Sequence, residues 1–349
     1  MMACDRDPPT SPGLQELDPQ AHRGRQQGCS EYVIHDLGVP AGFEESYAHA
    51  INNRGQITGN GEVPDYVGDD SYMRAHVWWR GTVKELGTLG GENSTGGDIN
   101  NRGHVVGSSY LPGGDWQNLH AYLWRRGEMI DLGTLGGVRS NGYGINDRGI
   151  VVGASTVESG ELHAYAWVHG EMRDLGTLGG EYSIAYAINN RGQIVGSSQT
   201  ASGETRAFLW SRGQMTNLGT LGGGYSRAFD VSDRGSVVGE SRTSSGETHA
   251  FLWKHGQMID LGTLGGQFSR AEAINERGAI VGISRLASGY YRAFLWQNGE
   301  MIDLGVLGGW YSTARDINER GDIVGSSLLP PDNFTHAVRW TCASPPSSR

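Results

Sequence analysis

Histidine and aspartate recur in this chain at a spacing that could support proton transfer. His249 and Asp260 flank His255-Gly256, a residue pair of the kind favoured in two-residue hairpin turns. If that turn forms, the two side chains lie diagonally on one face of the hairpin, within reach of a hydrogen bond. An imidazole beside a carboxylate can act as a general base. A contact repeated in unit after unit is explained more simply as a contact that stabilises each unit.

Four carboxylates form a second candidate for chemistry. They lie in the predicted first strands of their units, at Asp98, Asp230, Glu272 and Asp316. A hydrolase would need two or more of them to converge on one substrate. The sequence contains no Gly-x-Ser-x-Gly, His-Glu-x-x-His or Walker motif. We therefore assign no catalytic residue and expect no cofactor.

These side chains are embedded in an internal repeat. Leu-Gly-x-Leu-Gly-Gly begins at Leu86, Leu132, Leu175, Leu218, Leu261 and Leu304, and a degenerate copy contains Leu37. The last four steps between these copies are each 43 residues. Blocks of the form Ile-Asn-x-Arg-Gly and [His/Arg]-Ala-x-x-Trp keep the same period, and every block occurs seven times, counting looser versions. Repeats of this length are typical of propellers and solenoids.

Each unit contains four short strand-like segments, which in the fifth unit read RAFDVS, GSVVGES, THAFLW and QMIDLG. Tight turns join the first to the second and the third to the fourth, so neighbouring strands are antiparallel. Four antiparallel strands in about 43 residues match a propeller blade. The sequence predicts an all-β, seven-bladed β-propeller, closed by an N-terminal strand that completes the last blade. The 56 glycines, many of them in Leu-Gly-x-Leu-Gly-Gly, Arg-Gly and Val-Gly, are expected to mark sharp turns.

The expected organisation has one folded domain. Residues 1–30 are predicted to be a disordered extension, 31–341 the propeller, and 342–349 a disordered tail. The blade-completing strand is expected at 31–38 and the repeats at 46–340. Cys29 and Cys342 flank the two closing strands and could form a disulfide in an oxidising compartment. Two unrelated free thiols are the alternative.

Composition excludes several partners. The net charge of −10 and the lack of a basic cluster argue against nucleic acid. No apolar run approaches the ~20 residues of a membrane span. We expect a monomer.

A binding site is expected where the repeat varies. After the glycine pair, an aromatic residue recurs at one equivalent position in four units, with an arginine two residues further on in two of them. The candidate ligand-binding residues are Tyr182, Tyr225, Phe268, Trp310, Tyr311, Arg139, Arg227 and Arg270. Aromatic rings with nearby arginines can stack on sugars, aromatic groups or peptide side chains. The alternative is that these rings pack against the neighbouring blade.

An acidic loop in the first unit is a weak candidate for calcium. It carries Asp65, Asp69 and Asp70, and clustered carboxylates on a loop can bind Ca²⁺. Their spacing matches no EF-hand, and a simply solvated loop is the alternative. No other metal site is expected.

The repeat resembles the HAF-repeat family of bacterial, mostly extracellular repeat proteins. The resemblance rests on His-Ala-Phe-Leu-Trp at 249–253 and on the recurrent Leu-Gly-Thr-Leu-Gly-Gly and Ile-Asn-x-Arg-Gly, and it covers roughly 31–341. It implies a repeat architecture and export, with no established activity. The sequence as written begins with no signal peptide, so a cytoplasmic location stays open.

These observations favour a non-catalytic propeller that presents a variable loop face to a glycan, a peptide or a protein partner. Two alternatives stay open. One is a carbohydrate-active hydrolase or lyase that uses the carboxylates at the channel mouth, and the other is a structural cell-surface repeat protein.

Overall fold

The fold consists of β-strands and turns throughout the part of the chain that the computed structural model describes, namely residues 29, 31–63, 72–113, 117–331 and 333–343. Strand β1 is Tyr32–Asp36, and β2 to β5 are Glu45–Ile51, Ile57–Val63, Tyr72–Trp79 and Thr82–Glu85. Strands β6 to β9 are Ser94–Ile99, Val105–Tyr110, Leu119–Arg125 and Glu128–Asp131, and β10 to β13 are Gly136–Ile145, Val151–Val157, Leu162–Val168 and Glu171–Asp174. Strands β14 to β17 are Gly179–Ile188, Ile194–Thr200, Thr205–Ser211 and Gln214–Asn217, and β18 to β21 are Gly222–Val231, Val237–Thr243, Thr248–Lys254 and Gln257–Asp260. Strands β22 to β25 are Gly265–Ile274, Ile280–Leu286, Tyr291–Gln297 and Glu300–Asp303, and β26 to β28 are Ser312–Ile317, Ile323–Leu329 and Phe334–Cys342.

The strands pair into four-stranded antiparallel sheets in sequence order. We call β2–β5 sheet 1, β6–β9 sheet 2, β10–β13 sheet 3, β14–β17 sheet 4, β18–β21 sheet 5 and β22–β25 sheet 6. Sheet 7 has the order β1-β28-β27-β26, so the first strand of the chain pairs with the last. Sheets 5 and 6 are joined by a single parallel bridge between Thr248 and Phe268. This series of antiparallel sheets is the architecture of a β-propeller, as the repeat predicts.

The outer hairpin of each sheet from 1 to 6 turns on the residue pair that the sequence indicates. His255, for example, has φ 52° and Gly256 φ 81°. Two successive positive φ angles define the hairpin turn whose twist matches that of the strands. Trp253 accordingly pairs with Met258 across the turn.

The glycines of the Val-Gly pairs have a different structural role from the one expected. Gly239 lies in the middle of β19, and a Cβ atom there would lie 2.0 Å from the carbonyl oxygen of Arg227. On the opposite strand the register shifts between Ala228 and Asp230, which marks a β-bulge at Phe229. The glycine permits the backbones to approach at the bulge. The expectation that Val-Gly marks a turn is therefore wrong.

The hydrophobic core is divided into clusters that each lie between two consecutive sheets. In sheets 2 to 6 the third strand supplies a fully buried aromatic ring, at Tyr122, Tyr165, Phe208, Phe251 and Phe294. Phe251, for example, packs with Val195 and Val231, so it belongs to the cluster between sheets 4 and 5. Burying a ring of this size contributes about 1.5–3 kcal/mol. Sheet 7 packs on sheet 1 through Val324 and Ala337, which contact Ile51 and Trp78.

The two ends of the described chain lie side by side. Ile34 of β1 pairs with Trp340 of β28, and the backbone N–H of Ala343 donates to the carbonyl of Glu31. Cys29 and Cys342 form a disulfide with their Cα atoms 5.6 Å apart. Because β28 extends to Cys342, the folded domain continues past the expected boundary at 341.

Candidate functional site

One strand of each sheet carries a β-bulge at an equivalent position, and we call it the first strand. The first strands are β2, β6, β10, β14, β18, β22 and, in sheet 7, β26. The register shifts enclose His49, Gly97, Tyr143, Tyr186, Phe229, Glu272 and Arg315. We call these residues the bulge ring. A bulge leaves one residue out of the strand pairing and re-aims its side chain, and bulges are frequent beside active sites. The residues on either side of each bulge are Ala, Gly or Asp, so the chemistry of these strands varies mainly at the bulge ring.

Three consecutive members of the bulge ring form an aromatic arc. The ring centroids of Tyr143 and Tyr186 are 5.6 Å apart, and those of Tyr186 and Phe229 are 5.2 Å apart. Both pairs are tilted at about 50°, within the range of favourable aromatic contacts. The guanidinium carbon of Arg270 lies 5.5 Å from the Phe229 centroid. The Phe229 end of the arc therefore contacts a positively charged side chain.

Arg270 forms an ion cluster with Glu272 and Arg315, the next two members of the bulge ring. Arg315 donates from Nη1 to Glu272 Oε1 at 3.0 Å, and Arg270 pairs with the same oxygen through Nη2. The Glu272 side chain is only 10% exposed, whereas that of Arg315 is 39% exposed. The cluster has two positive charges and one negative charge, and the buried Nε of Arg270 has no hydrogen-bond partner.

His49 lies beside this cluster. Its Nδ1 donates to the Gly96 carbonyl at 2.8 Å, because a carbonyl can only accept. Burial and the charge of Arg315 lower the pKa of His49 to about 4. The imidazole is neutral at neutral pH, and the positive charge at this end of the molecule belongs to the arginines.

Asp98, Asp230 and Asp316, which only the alternative enzyme hypothesis would use, accept hydrogen bonds from backbone amides. Asp230 accepts from Val231 N–H through Oδ1 at 2.7 Å and from Ile274 N–H of the next sheet through Oδ2 at 2.8 Å. Asp98 and Asp316 make the same pair of bonds, and Asp316 accepts from Ile51 N–H of sheet 1. Each carboxylate therefore joins two sheets.

Burial controls the titration of these aspartates. It raises the pKa of Asp98 to about 6 and that of Asp230 to about 7, and it raises the pKa of Asp316 well above its usual value. The negative charges of Asp98 and Asp230 contribute to the rise at Asp316. Glu272, the fourth expected carboxylate, is engaged by two arginines instead.

Just beyond the C-terminal ends of the first strands, four residues after each member of the bulge ring, the turns are joined by a belt of hydrogen bonds. In each turn, the residue after the conserved Asn (or Ser232) accepts with its side chain from the equivalent backbone N–H of the preceding sheet. The belt residues are Asn53, Asn101, Asp147, Asn190, Asp233, Glu276 and Glu319. The last bond runs from Glu319 N–H to Asn53 Oδ1 at 2.8 Å.

A second row of bonds runs beside the belt. The amide of Asn189, for example, donates to the Ser232 carbonyl of the next sheet at 2.8 Å. Equivalent bonds start from Asn52, Asn100, Asn146, Asn275 and Asn318. Ser232 takes the place of asparagine in sheet 5 and has no amide to donate. A small cavity of about 100 Å³ is lined by Ser232, Asn275 and Glu276 at that position.

The belt lines a cavity of about 240 Å³. Residues from the first strands and turns of all seven sheets contribute to its wall, and Asp98, Asp147, Asp233, Glu276, Asp316 and Glu319 supply carboxylates. The cavity is therefore polar and acidic at the belt, whereas the bulge ring is aromatic and carries a net positive cluster.

The recurrent histidine–aspartate pairs form as the hairpin register predicts. His249 Nδ1 lies 2.8 Å from Asp260 Oδ2, and Asp260 Oδ1 also accepts from Gly262 N–H at 2.8 Å. His163 and Asp174 repeat the contact at 2.8 Å. The carboxylate thus holds both the hairpin and the following Leu-Gly turn, which is a structural role.

Of the aromatic residues expected to form a rim, three contact a neighbour within their own sheet, whereas Trp310 lies 6.2 Å from Tyr290, the residue before β24 of sheet 6. The Tyr182 hydroxyl bonds Thr205, and Tyr225 donates to Glu240 at 2.7 Å. Phe268 lies edge-on to Tyr291 with centroids 5.7 Å apart. Trp310 is 49% exposed and lies beside Tyr311 at 6.2 Å.

The expected arginines have separate surroundings. The guanidinium carbon of Arg227 lies 5.2 Å from the Tyr225 centroid. Arg270 belongs to the ion cluster. The backbone N–H of Arg139 donates to Thr156 Oγ1 at 3.1 Å.

The calcium candidates Asp65, Asp69 and Asp70 lie outside the described residues. Among the residues that are described, no group of three or more His, Cys, Asp or Glu side chains is arranged to hold a metal ion. No helix in that part of the chain has the length and apolar character of a membrane span.

Sequence reasoning did not single out most of the bulge ring. Tyr143, Tyr186, Phe229 and Arg315 occupy the variable position of a recurrent [Ala/Gly]-x-[Ala/Gly/Asp]-[Ile/Val]-[Asn/Ser] block. Six residue types at one position of a sevenfold repeat form a signal that could have been used. The bulge also has a signal, because the glycine that recurs inside the second strand, such as Gly239, is typical of a strand whose neighbour bulges or approaches closely.

Comparison with known proteins identifies the architecture. No family model matches the chain, and no curated protein does. The resemblance to HAF repeats therefore stays a prediction. Among solved structures, the β-propeller domain of the Trilobed protease from Pyrococcus furiosus is similar with a TM-score of 0.55 and 9% identity, over 86% of this chain and 97% of that one.

Two peptidases contain similar propellers. A Mycobacterium tuberculosis puromycin-hydrolyzing peptidase matches with a TM-score of 0.57 and 14% identity, over 87% of this chain and 53% of that one. The Pyrococcus horikoshii acylaminoacyl peptidase matches with a TM-score of 0.53 and 10% identity, over 86% and 52%. This chain spans about half the length of both. At such identities the likeness shows the fold, a β-propeller.

These matches contradict the expected function. A non-catalytic propeller that presents a variable loop face to a glycan, peptide or protein was expected, with a carbohydrate-active enzyme or a structural surface protein as alternatives. The solved structures that share the fold belong instead to a protease and two peptidases.

Proposed function

We propose that sheets 1 to 7 are the blades of one closed ring and that this ring takes in peptides along its axis, in a peptidase-type function. The closure is supported by contacts of β2 with β26, β27 and β28. It is also supported by the bonds that return from sheet 7 to sheet 1, at Glu319–Asn53 and Asn318–Asn52. In a closed ring the belt has neither a first nor a last member.

The observation that carries the functional proposal is the composition of the axial cavity wall. Asparagine side chains and carboxylates from all seven sheets face one space of about 240 Å³. Amides and carboxylates are complementary to the N–H and C=O groups of an extended peptide and to a positively charged peptide N-terminus. The peptidases that share the fold supply the second support.

An oxidising location belongs to the same proposal. The Cys29–Cys342 disulfide joins the ends of the described chain. Such bonds persist outside the reducing cytosol, so we propose that the protein works in an exported or otherwise oxidising compartment.

The test is a map of where peptides bind. Short peptides that carry a photoreactive benzophenone are cross-linked to the protein, and the modified residues are identified by mass spectrometry. Cross-links at belt residues such as Asn101 and Asn190 are expected, and unlabelled peptide should compete for them. Peptide hydrolysis is followed in the same samples.

The matched variants are Glu276→Gln at the belt and Glu300→Gln on the outer strand β25. Both remove one negative charge, and Glu276 differs from Glu300 in lining the cavity and in its contacts with Asp233 and Arg234. Glu276→Gln is expected to weaken binding of peptides with a free N-terminus, and Glu300→Gln to leave it unchanged. Cross-links confined to the outer loops, or no capture of any peptide, would contradict the proposal.

A further inference from the structure

The bulge ring has two adjacent halves with different chemistry. The arc of Tyr143, Tyr186 and Phe229 offers ring faces, and the cluster of Arg270, Glu272 and Arg315 offers guanidinium donors. The halves meet where Arg270 lies over Phe229. We propose that the bulge ring recognises the C-terminal residue of a peptide that ends in an aromatic side chain, with its carboxylate on the arginines and its ring on the aromatic arc.

The first support is the balance of donors and acceptors. A guanidinium has five N–H donors, and both arginines converge on the single oxygen Oε1 of Glu272. One carboxylate cannot satisfy two guanidiniums, so donors remain for a second carboxylate. The buried Arg270 Nε without a partner belongs to the same group.

The second support is charge and access. Two arginines contact one glutamate, while the carboxylate of Glu240, which also attracts Arg270, stands opposite Arg227 in the pairing of β18 with β19. His49 is neutral because burial lowers the pKa of its imidazole. The cluster is thus positive, and the 39% exposure of the Arg315 side chain keeps it accessible. A carboxylate that is paired with arginine in a partly dry site forms strong, oriented hydrogen bonds.

The third support is the neighbouring arc. Tilted aromatic rings at 5.2–5.6 Å present faces and edges on which another planar ring packs favourably. An aromatic residue at a peptide C-terminus places a ring and a carboxylate on one residue, which suits two adjacent half-sites. The acidic belt follows the bulge by four residues in each sheet, so such a peptide would lie with its N-terminus toward the belt.

This inference rests on the proposed function in that the ligand is a peptide. Calorimetric titration compares the pentapeptide Gly-Ala-Gly-Ala-Phe as the free acid, as the C-terminal amide, and with its phenylalanine replaced by alanine. The free acid is expected to bind about 10- to 100-fold more tightly than the amide, the range of a charge-assisted hydrogen bond. The alanine peptide is expected to bind more weakly than the phenylalanine peptide.

Two substitutions test the arginine cluster, one that removes a positive charge and one that removes a negative charge. Arg315→Gln should abolish the preference for the free acid, and Arg270 still pairs with Glu272 to hold the local fold. Glu272→Gln frees both guanidiniums and should strengthen binding of the free acid several-fold without strengthening the amide. A residue with only a structural role would weaken both peptides together. Arg320→Gln, which removes the same charge from the turn after β26, is the control.

The outcomes separate the two proposals. If peptides bind with no preference for the acid, or if Arg315→Gln weakens acid and amide equally, the inference about the bulge ring is overturned and the proposed function stands. If no peptide binds the unmodified protein, both are overturned. A free-acid preference that is lost in Arg315→Gln and enhanced in Glu272→Gln supports the inference.

Discussion

Replacing Ser232 with asparagine should stabilise the protein, because it restores the missing link between sheets 5 and 6. The equivalent Asn189 shows what asparagine does at this position. Its Oδ1 accepts from the N–H groups of Arg191 and Gln193 at 3.0 and 2.9 Å, and its Nδ2 donates to the carbonyl of the next sheet. Ser232 instead accepts one backbone bond, from Ser236 at 3.2 Å.

The magnitude follows from these bonds. Ser232→Asn adds one bond within the turn and one to the Asn275 carbonyl, which already accepts from Gly278 N–H at 2.9 Å. Each bond contributes about 0.5–1.5 kcal/mol net, and ordering the longer side chain costs up to about 1 kcal/mol. The cavity of about 100 Å³ at this position provides room for the amide. A gain of about 1 kcal/mol remains.

The assay is equilibrium unfolding in urea. The midpoint of Ser232→Asn should shift upward with an unchanged slope, since the surface exposed on unfolding is the same. Asn189→Ser reproduces the sheet-5 arrangement in sheet 4 and should cost about 1 kcal/mol or more. If Ser232→Asn does not raise the midpoint while Asn189→Ser lowers it, our reading of the sheet 5–6 junction is refuted. If neither substitution has an effect, the amide row does not stabilise the ring.

Three further predictions concern burial and the chain ends. Burial raises the pKa of Asp230 from 3.8 to about 7, so the folded state binds this proton more tightly and stability falls as the pH rises between those values. Asp230→Asn removes the pH dependence that this carboxyl contributes to stability. From pH 4 to 7, the unfolding free energy of the variant relative to that of the unmodified protein should therefore rise by at most about 4 kcal/mol. A difference that does not depend on pH would contradict this. Phe251→Ala should cost about 3–5 kcal/mol in thermal or urea unfolding because its ring is fully buried, whereas Ile259→Ala, at a side chain 46% exposed, should change stability by less than about 0.5 kcal/mol. Cys29→Ser opens a loop of 313 residues and should cost up to about 6 kcal/mol by the chain-entropy model; a reductant should destabilise the unmodified protein and leave the variant unchanged, and equal responses would refute the role of the disulfide.

The strand order was predictable because the signals for it are local. A residue in the position of His255 followed by glycine sets a hairpin turn, and that turn fixes the register in which Trp253 meets Met258. The number of copies of the repeat then predicts the number of sheets. The pairing of β1 with β28 followed from the missing fourth strand after Trp340.

The site was less predictable because it depends on an irregularity of pairing. The glycine of Val-Gly was read as a turn residue, whereas Gly239 permits a bulge on the strand opposite. Without the bulge, Phe229 and its equivalents are ordinary strand residues in a repeating pattern. The aspartates were recognised as unusual, but Asp230 binds backbone amides of two sheets, and such contacts between units do not show in the sequence of one unit.

The belt of turn-to-turn hydrogen bonds bears on where the polypeptide could begin. Every bond runs in the same rotational sense, from a backbone amide to the side chain of the following sheet, and sheet 7 donates to sheet 1 as sheet 4 donates to sheet 5. The Cα atoms of Cys29 and Cys342 lie only 5.6 Å apart. A circularly permuted chain, with these ends joined by a short linker and new termini opened at the exposed outer hairpin of His255, would keep every one of those bonds. In the closed ring that we propose, the order of the sheets is in this sense independent of the order in which they are synthesised.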